Sequence, residues 1–214
     1  MQIISHRGYW KDGSEKNRII SFERSFDLGF GTETDIRDLN GELVISHDMP
    51  TSLDKEIILV EDFFKLYKSV GNNLPLALNI KSDGLYDKLK DLILKFDLSN
   101  YFVFDMSIPD TIGYLKRGMN FFSRQSEIEK IPSLYEECNG VWLDEFNSHW
   151  ITSELIEEHL NIGKKVCIVS PELHGRNNKK EWYNYKHFLN NQYIDNLILC
   201  TDNPEEAKIY FYEN

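Results

Sequence analysis

The feature that most constrains this chain is a repeated alternation of short apolar runs with amphipathic segments. From "QIISH" at Gln2 to "NLILCTD" ending at Asp202, eight strand-like runs occur, each followed by a segment of helical spacing. "IISFERSFDLGF" places Ile20, Phe22, Phe26 and Phe30 at such a spacing. "LVEDFFKLYKSV", "GLYDKLKDLILKF", "DTIGYLKRG", "IPSLYEEC", "TSELIEEHLNIG", "YNYKHFLNNQ" and "NPEEAKIYFYE" repeat the pattern. One interruption, Asn40-Gly41, is a hairpin turn signal between two extended pieces. Alternating strands and helices imply parallel strands joined by right-handed crossovers. Eight such units in 214 residues predict an α/β fold, a small (β/α)8 TIM barrel with trimmed loops. A doubly wound sheet is the alternative, but no glycine fingerprint follows the first strand. No linker or low-complexity stretch divides the chain, so one domain spanning residues 1–214 is expected.

The formal net charge of −11 argues against nucleic acid as a partner, which would require clustered Lys and Arg. It also argues against docking on anionic membranes. An acidic chain that handles an anion needs local positive charge or a metal ion at the site. Cys138, Cys167 and Cys200 are odd in number and widely spaced, the pattern of free thiols rather than a disulfide or zinc framework. The chain opens directly on a short strand without signal-peptide character, and no apolar stretch reaches membrane-span length. A cytoplasmic location without stable membrane insertion is the expectation. Oligomeric state leaves no signal in the sequence.

In a barrel of this kind, active sites form at the C-terminal ends of the strands. His6 and Arg7 end the first strand. Glu33 and Asp35 lie two apart on the second, so both point to one side. His47 and Asp48 end the returning arm of the hairpin, and Asn79 and Lys81 end the third strand. Asp144-Glu145 end the sixth, Glu172 and His174 follow the seventh, and Asp202 ends the eighth. Glu33 and Asp35 offer hard oxygen ligands for Mg²⁺ or Ca²⁺. His6 and His47 are suited to proton transfer near neutrality. Arg7 and Lys81 suit phosphoryl oxygens. Together these groups describe a site that cleaves a phosphodiester.

The order His6-Arg7-Gly8, Asn17 to Phe22, Gly29 to Glu33-Thr34-Asp35, then Asn40-Gly41 to His47-Asp48 resembles the glycerophosphodiester phosphodiesterase family. Weaker echoes are "LNIKS", "FVFD", "GVWLD" and "TDNPEEA". The resemblance implies a (β/α)8 barrel and a small-molecule phosphodiester substrate. It implies His6 and His47 as the acid–base pair, Glu33 and Asp35 as metal ligands, and Arg7 and Lys81 on phosphate. Three departures stand out. Asn79 occupies the place of a third acidic ligand, with Asp144 or Glu145 as a compensating carboxylate. The connection from His47-Asp48 to the third strand, "MPTSLDKEIILVEDFFKLYKSVGNN", is short and implies an open mouth. "SPELHGRNNKKEWYNY" replaces the usual seventh-strand segment, marking Glu172 and His174 as substrate-binding candidates.

Each residue also has an ordinary structural reading. Asp202 reads as a helix N-cap, because Asn203-Pro204 signals a helix start. Asp48 reads either as a histidine partner or as a turn residue. A non-catalytic or weakly catalytic barrel that binds a phosphodiester or sugar phosphate is the alternative function, with Asn79 marking a lost metal site.

Overall fold

The computed structural model describes residues 1–51, 56–70, 73–190 and 194–213. In chain order the first elements are β1 (Gln2–His6), α1 (Ile19–Asp27), β2 (Gly31–Leu39), β3 (Glu42–Ile45), β4 (Ile58–Leu59), α2 (Val60–Ser69) and β5 (Leu76–Ile80). Next come α3 (Tyr86–Lys95), β6 (Tyr101–Phe104), α4 (Ile108–Lys116), β7 (Phe122–Gln125), β8 (Gly140–Leu143) and α5 (Ser153–Asn161). The chain closes with β9 (Lys165–Val169), α6 (Lys179–Tyr185), β10 (Leu197–Thr201) and α7 (Pro204–Lys208). These elements fall into two compact units, one of Arg7–Phe121 and one of Met1–His6 with Phe122–Asn214.

In the unit Arg7–Phe121, β2 pairs parallel with β5 and antiparallel with β3, and β5 pairs parallel with β6. The hairpin falls at the expected place. Asn40 and Gly41 both take positive φ, 51° and 84°, as a two-residue turn matched to strand twist requires. That turn sets Ile36 opposite Ile45 and delivers His47 just beyond the strand end. The sequence gives no cue for β4, which pairs antiparallel with β3 inside the short connection. Residues 52–55 and 71–72 of that connection lie outside the described residues.

Helices α1 and α2 bury an aromatic layer, with Phe22 4.6 Å and Phe26 6.0 Å from Phe63, ring centre to ring centre. Burial of α1 runs through Ser21, Phe22, Ser25 and Phe26. Ile20, placed by spacing on the apolar face, is half exposed instead. The serines at Ser21 and Ser25 occupy the inner face because their hydroxyls donate to the backbone carbonyls of Arg18 and Gly31.

In the second unit, β1, β10, β9, β8 and β7 pair in that order, all parallel. β8 and β10 are buried along their whole length, as parallel strands covered on both faces must be. Cys138, Cys167 and Cys200 are buried free thiols, as the apolar runs around Cys167 and Cys200 implied for those two. The helix expected over "IPSLYEEC" does not form. Pro132 precedes Leu134, whose φ of 50° breaks helical continuation, and Ser133–Glu137 is a turn. The helix expected over "YNYKHFLNNQ" begins earlier, as α6, and passes into a 3-10 helix at Lys186–Asn190. Its expected end, residues 191–192, lies outside the described residues. No helix among the described residues is long and apolar enough to cross a membrane.

Candidate active site

In the unit Arg7–Phe121, the turn after β1 places the first cation. Arg7 and Gly8 both have positive φ, 58° and 82°. The Arg7 amide donates to the Glu33 backbone carbonyl at 3.0 Å and to the Glu33 carboxylate at 3.2 Å. The Gly8 amide donates to the Thr32 hydroxyl at 3.0 Å. A Cβ on Gly8 would stand 2.2 Å from Ser21 Oγ, so this turn accepts only glycine.

The turn aims the Arg7 guanidinium at Asp35, with Nε 3.0 Å from Oδ2, in an ion pair without hydrogen-bond alignment. Asp35 is fully buried. Its other partners are Asn17 Nδ2, which donates at 2.8 Å, and Lys81 Nζ at 3.3 Å. Asn17 is itself held by the Thr34 hydroxyl, which donates to its side-chain oxygen at 2.9 Å. Asn17 therefore positions Asp35, a role that its place in the Asn17-to-Phe22 spacing alone does not disclose.

Glu33, next on the same side of β2, is buried. That burial and the charge of Asp35 push its carboxyl up to about 8, against the pull of Arg7 and Lys81. Asn79 is the register partner of Asp35 across β2 and β5. Asn79 Oδ1 and Asp35 Oδ1 are buried without a hydrogen-bond partner. Asn79 Oδ1, and Asp35 Oδ1 with only the Lys81 ion pair, beside a carboxyl disfavoured as an anion form a set that a divalent cation would satisfy. Glu33, Asp35 and Asn79 fit a hard metal ion.

His47 sits at the exposed end of the hairpin with Nδ1 2.8 Å from Asp48 Oδ1, so of the two readings of Asp48 the histidine partner holds. Arg37 ties this end to the residue that follows β5. Its Nε donates to the His47 carbonyl and one terminal nitrogen to the Lys81 carbonyl, both at 3.0 Å. Nothing in the sequence signals that role for Arg37. His47, Arg7, Lys16, Asn17, Arg18 and Asp48 share the wall of one cavity of about 730 Å³. Lys16 lies over the Trp10 ring at 4.3 Å, and Arg18 pairs with Glu56 at 3.4 Å. In a chain of net charge −11, this cavity wall sets three cations, Arg7, Lys16 and Arg18, against the carboxylates of Asp48 and Glu56.

In the second unit, His6 Nδ1 lies 2.8 Å from Asp202 Oδ1. The N-cap reading of Asp202 is corrected, because the cap position of α7 is Asn203 and the Asp202 carboxylate turns to His6. Glu172 accepts from the Ser170 and Thr201 hydroxyls, from Asn178 Nδ2 at 3.0 Å and from the Asp202 amide at 3.2 Å. Both its oxygens are engaged in bracing the strand end that carries Asp202. His174 Nε2 pairs with Asp144 Oδ1 at 2.7 Å. Asp144, expected as a metal ligand, and His174, expected at the substrate, thus contact each other.

No protein-family model matches the chain, and no curated protein sequence matches it. Solved structures do match. A protein of Galdieria sulphuraria assigned as a glycerophosphodiester phosphodiesterase is 19% identical with a TM-score of 0.77, covering 100% of this chain and 98% of its own. A phosphodiesterase of Oleispira antarctica, solved with its product sn-glycerol-3-phosphate, is 14% identical with a TM-score of 0.66, covering 98% and 96%. A Ca²⁺-dependent phosphatidylinositol-specific phospholipase C of Streptomyces antibioticus is 10% identical with a TM-score of 0.55, again covering 98% and 96%. The fold of this chain is therefore α/β, the (β/α)8 TIM barrel of the glycerophosphodiester phosphodiesterases.

Proposed function

We propose that the chain is a metal-dependent phosphodiester hydrolase acting on a glycerophosphodiester or a related glycerol or sugar phosphodiester, with His6 and His47 as acid and base. The observation that carries this reading is that each histidine has Nδ1 on a carboxylate, Asp202 for His6 and Asp48 for His47. A carboxylate there holds the proton on Nδ1 and leaves Nε2 to give or take a proton at the substrate. Simple phosphate binding requires no such arrangement.

One histidine removes the proton from the attacking oxygen, and the other protonates the departing alcohol. Arg7 and Lys81 hold the phosphoryl oxygens, with Lys16 and Arg18 drawing the anion into the cavity beside His47. Mg²⁺ or Ca²⁺ would be held by Glu33, Asp35 and Asn79. When bound, it neutralises charge that develops on the phosphoryl group. Asp35 pairs with Arg7 and Lys81, so an ion held at Asp35 would compete with both cations for its carboxylate and leave them for substrate. Buried, reduced thiols accord with a cytoplasmic setting.

The test is a panel of phosphodiesters, from glycerophosphocholine to glycan-linked glycerol phosphate, assayed with Mg²⁺, Ca²⁺ or Mn²⁺. His6→Asn and His47→Asn should each lower kcat by about 100-fold or more with the fold intact. Unchanged turnover in the double variant would end the acid–base reading. Tight phosphodiester binding without turnover in the unsubstituted protein would favour a binding barrel instead. A substrate lacking a hydroxyl beside the phosphate should be inert if the attack is intramolecular and gives a cyclic phosphate. Its hydrolysis would point to water as the nucleophile.

A further inference from the structure

A second group of potential ligands lies wholly within the unit that contains β7 to β10. Glu145 follows β8, His149 stands in the loop before α5, and Glu181 lies on α6. One ligand atom from each falls within 4.8 Å of the other two, the only such triad among the described residues. His149 Nδ1 is 2.8 Å from Glu145 Oε1 and 3.7 Å from Glu181 Oε1. Ligands bound to one ion at about 2.0–2.1 Å stand about 3.4 Å apart, between these two separations.

The two carboxylates are 0% and 6% exposed. Oε2 of each is buried and has no hydrogen-bond partner. Glu145 Oε1, by contrast, accepts from the Trp150 and Ile151 amides at 3.1 and 3.0 Å, which fixes the carboxylate. The Arg176 guanidinium lies 3.6 Å from Glu145 Oε2, a single fixed cation against two buried anions. Arg176 Nε and the Tyr185 hydroxyl, which feels the charge of both glutamates, are likewise buried without hydrogen-bond partners. Burying two carboxylates beside orphaned polar atoms is costly unless something positive joins them.

We propose that Glu145, His149 and Glu181 form a divalent-cation site distinct from Glu33 and Asp35, selective for a first-row transition ion of the Zn²⁺ type. An imidazole with two carboxylates suits such ions better than Mg²⁺ or Ca²⁺, which prefer oxygen alone. The neutral imidazole carries its proton on Nε2 and presents Nδ1 to the ion; any proton on Nδ1 leaves to solvent. The ion clips the loop after β8 to α6 and so stabilises this unit.

The test titrates the whole protein with Zn²⁺ by calorimetry and with Co²⁺ by visible absorption, following the thermal midpoint in parallel. The unsubstituted protein should take up Zn²⁺ with a raised midpoint and give the stronger Co²⁺ bands of a low-coordinate nitrogen–oxygen site. Asp35→Asn should leave those bands unchanged. His149→Ala, at a partly exposed side chain, and the isosteric Glu181→Gln should each weaken Zn²⁺ binding by about 100-fold or more. Loss of a mere outer-shell partner already costs ~10–100-fold. Both variants should lose the midpoint rise. Absence of Zn²⁺ binding in the unsubstituted protein would overturn the proposal. So would Zn²⁺ affinity and Co²⁺ bands that survive both His149→Ala and Glu181→Gln.

Discussion

Replacing Asp202 by Asn tests whether the His6–Asp202 contact serves chemistry or only packing. The substitution keeps size and shape. The Asp202 amide still donates to Glu172 at 3.2 Å, so the backbone stays in place. What changes is the partner of His6 Nδ1 at 2.8 Å, where both side chains are about 15% exposed and only partly screened by water. A hydrogen bond to a charged group contributes about 1.5–3 kcal/mol. His6 must pass through its protonated form in the proposed cycle, and that form loses this amount when the carboxylate becomes an amide. At about 1.36 kcal/mol per decade, kcat should fall about 10- to 150-fold. KM should change little, because Asp202 makes no proposed contact with substrate. The assay is steady-state kinetics on the best substrate of the panel at saturating metal. Nitrogen NMR of the His6 ring supplies a second readout, in which Asp202→Asn should move the proton off Nδ1 in a share of the molecules. A kcat within threefold of the unsubstituted protein, with the ring proton unmoved, would refute the reasoning.

Arg37→Ala should lower kcat about 10-fold or more with little loss of stability, since it frees the carbonyls of His47 and Lys81 that Arg37 now ties together; Arg37→Lys, lacking the planar fork, should rescue poorly. Chelation should abolish activity and excess Mg²⁺ or Ca²⁺ restore it. Asn79→Glu should tighten metal binding by restoring a third negative ligand, read as a lower metal concentration for half-maximal rate. His159 is buried between Gln125 and Tyr135, and burial followed by the Lys164 charge lowers it to about 4 from 6.5. The folded state then binds fewer protons than the unfolded chain, so stability should fall as pH drops from about 6.5 to 4, by up to ~3 kcal/mol in all. Denaturant midpoints across that range should show the loss, and His159→Gln should flatten it. Phe63→Ala, at the centre of the aromatic layer between α1 and α2, should cost about 3–5 kcal/mol in the same assay.

Much of this protein is legible from residue order because the signals are local. The strand–helix alternation reflects periodicities of two and 3.6 that each segment carries by itself. Asn40-Gly41 declares its turn because both positions demand positive φ, which these two residues tolerate. The same-side placement of Glu33 and Asp35 follows from pleating alone. Where local signals conflict, the sequence misleads. "IPSLYEEC" has helical spacing, but Leu134 adopts a left-handed conformation that no propensity announces.

What only the tertiary structure decided is which groups meet. Asp202 has the local marks of a helix cap, yet its carboxylate joins His6, 196 residues away along the chain. Asn17, marked in sequence only by its spacing to Phe22, and Arg37, unmarked there, become the residues that hold Asp35 and His47 in place. Glu145 and His149 stand four apart in the sequence, but only the fold brings Glu181, on a helix, to them. Hydrogen bonds and ion pairs act over about 3 Å in space, without regard to distance along the chain. Residue order therefore determines the elements and the kinds of chemistry available, while packing of those elements determines which carboxylate each histidine receives.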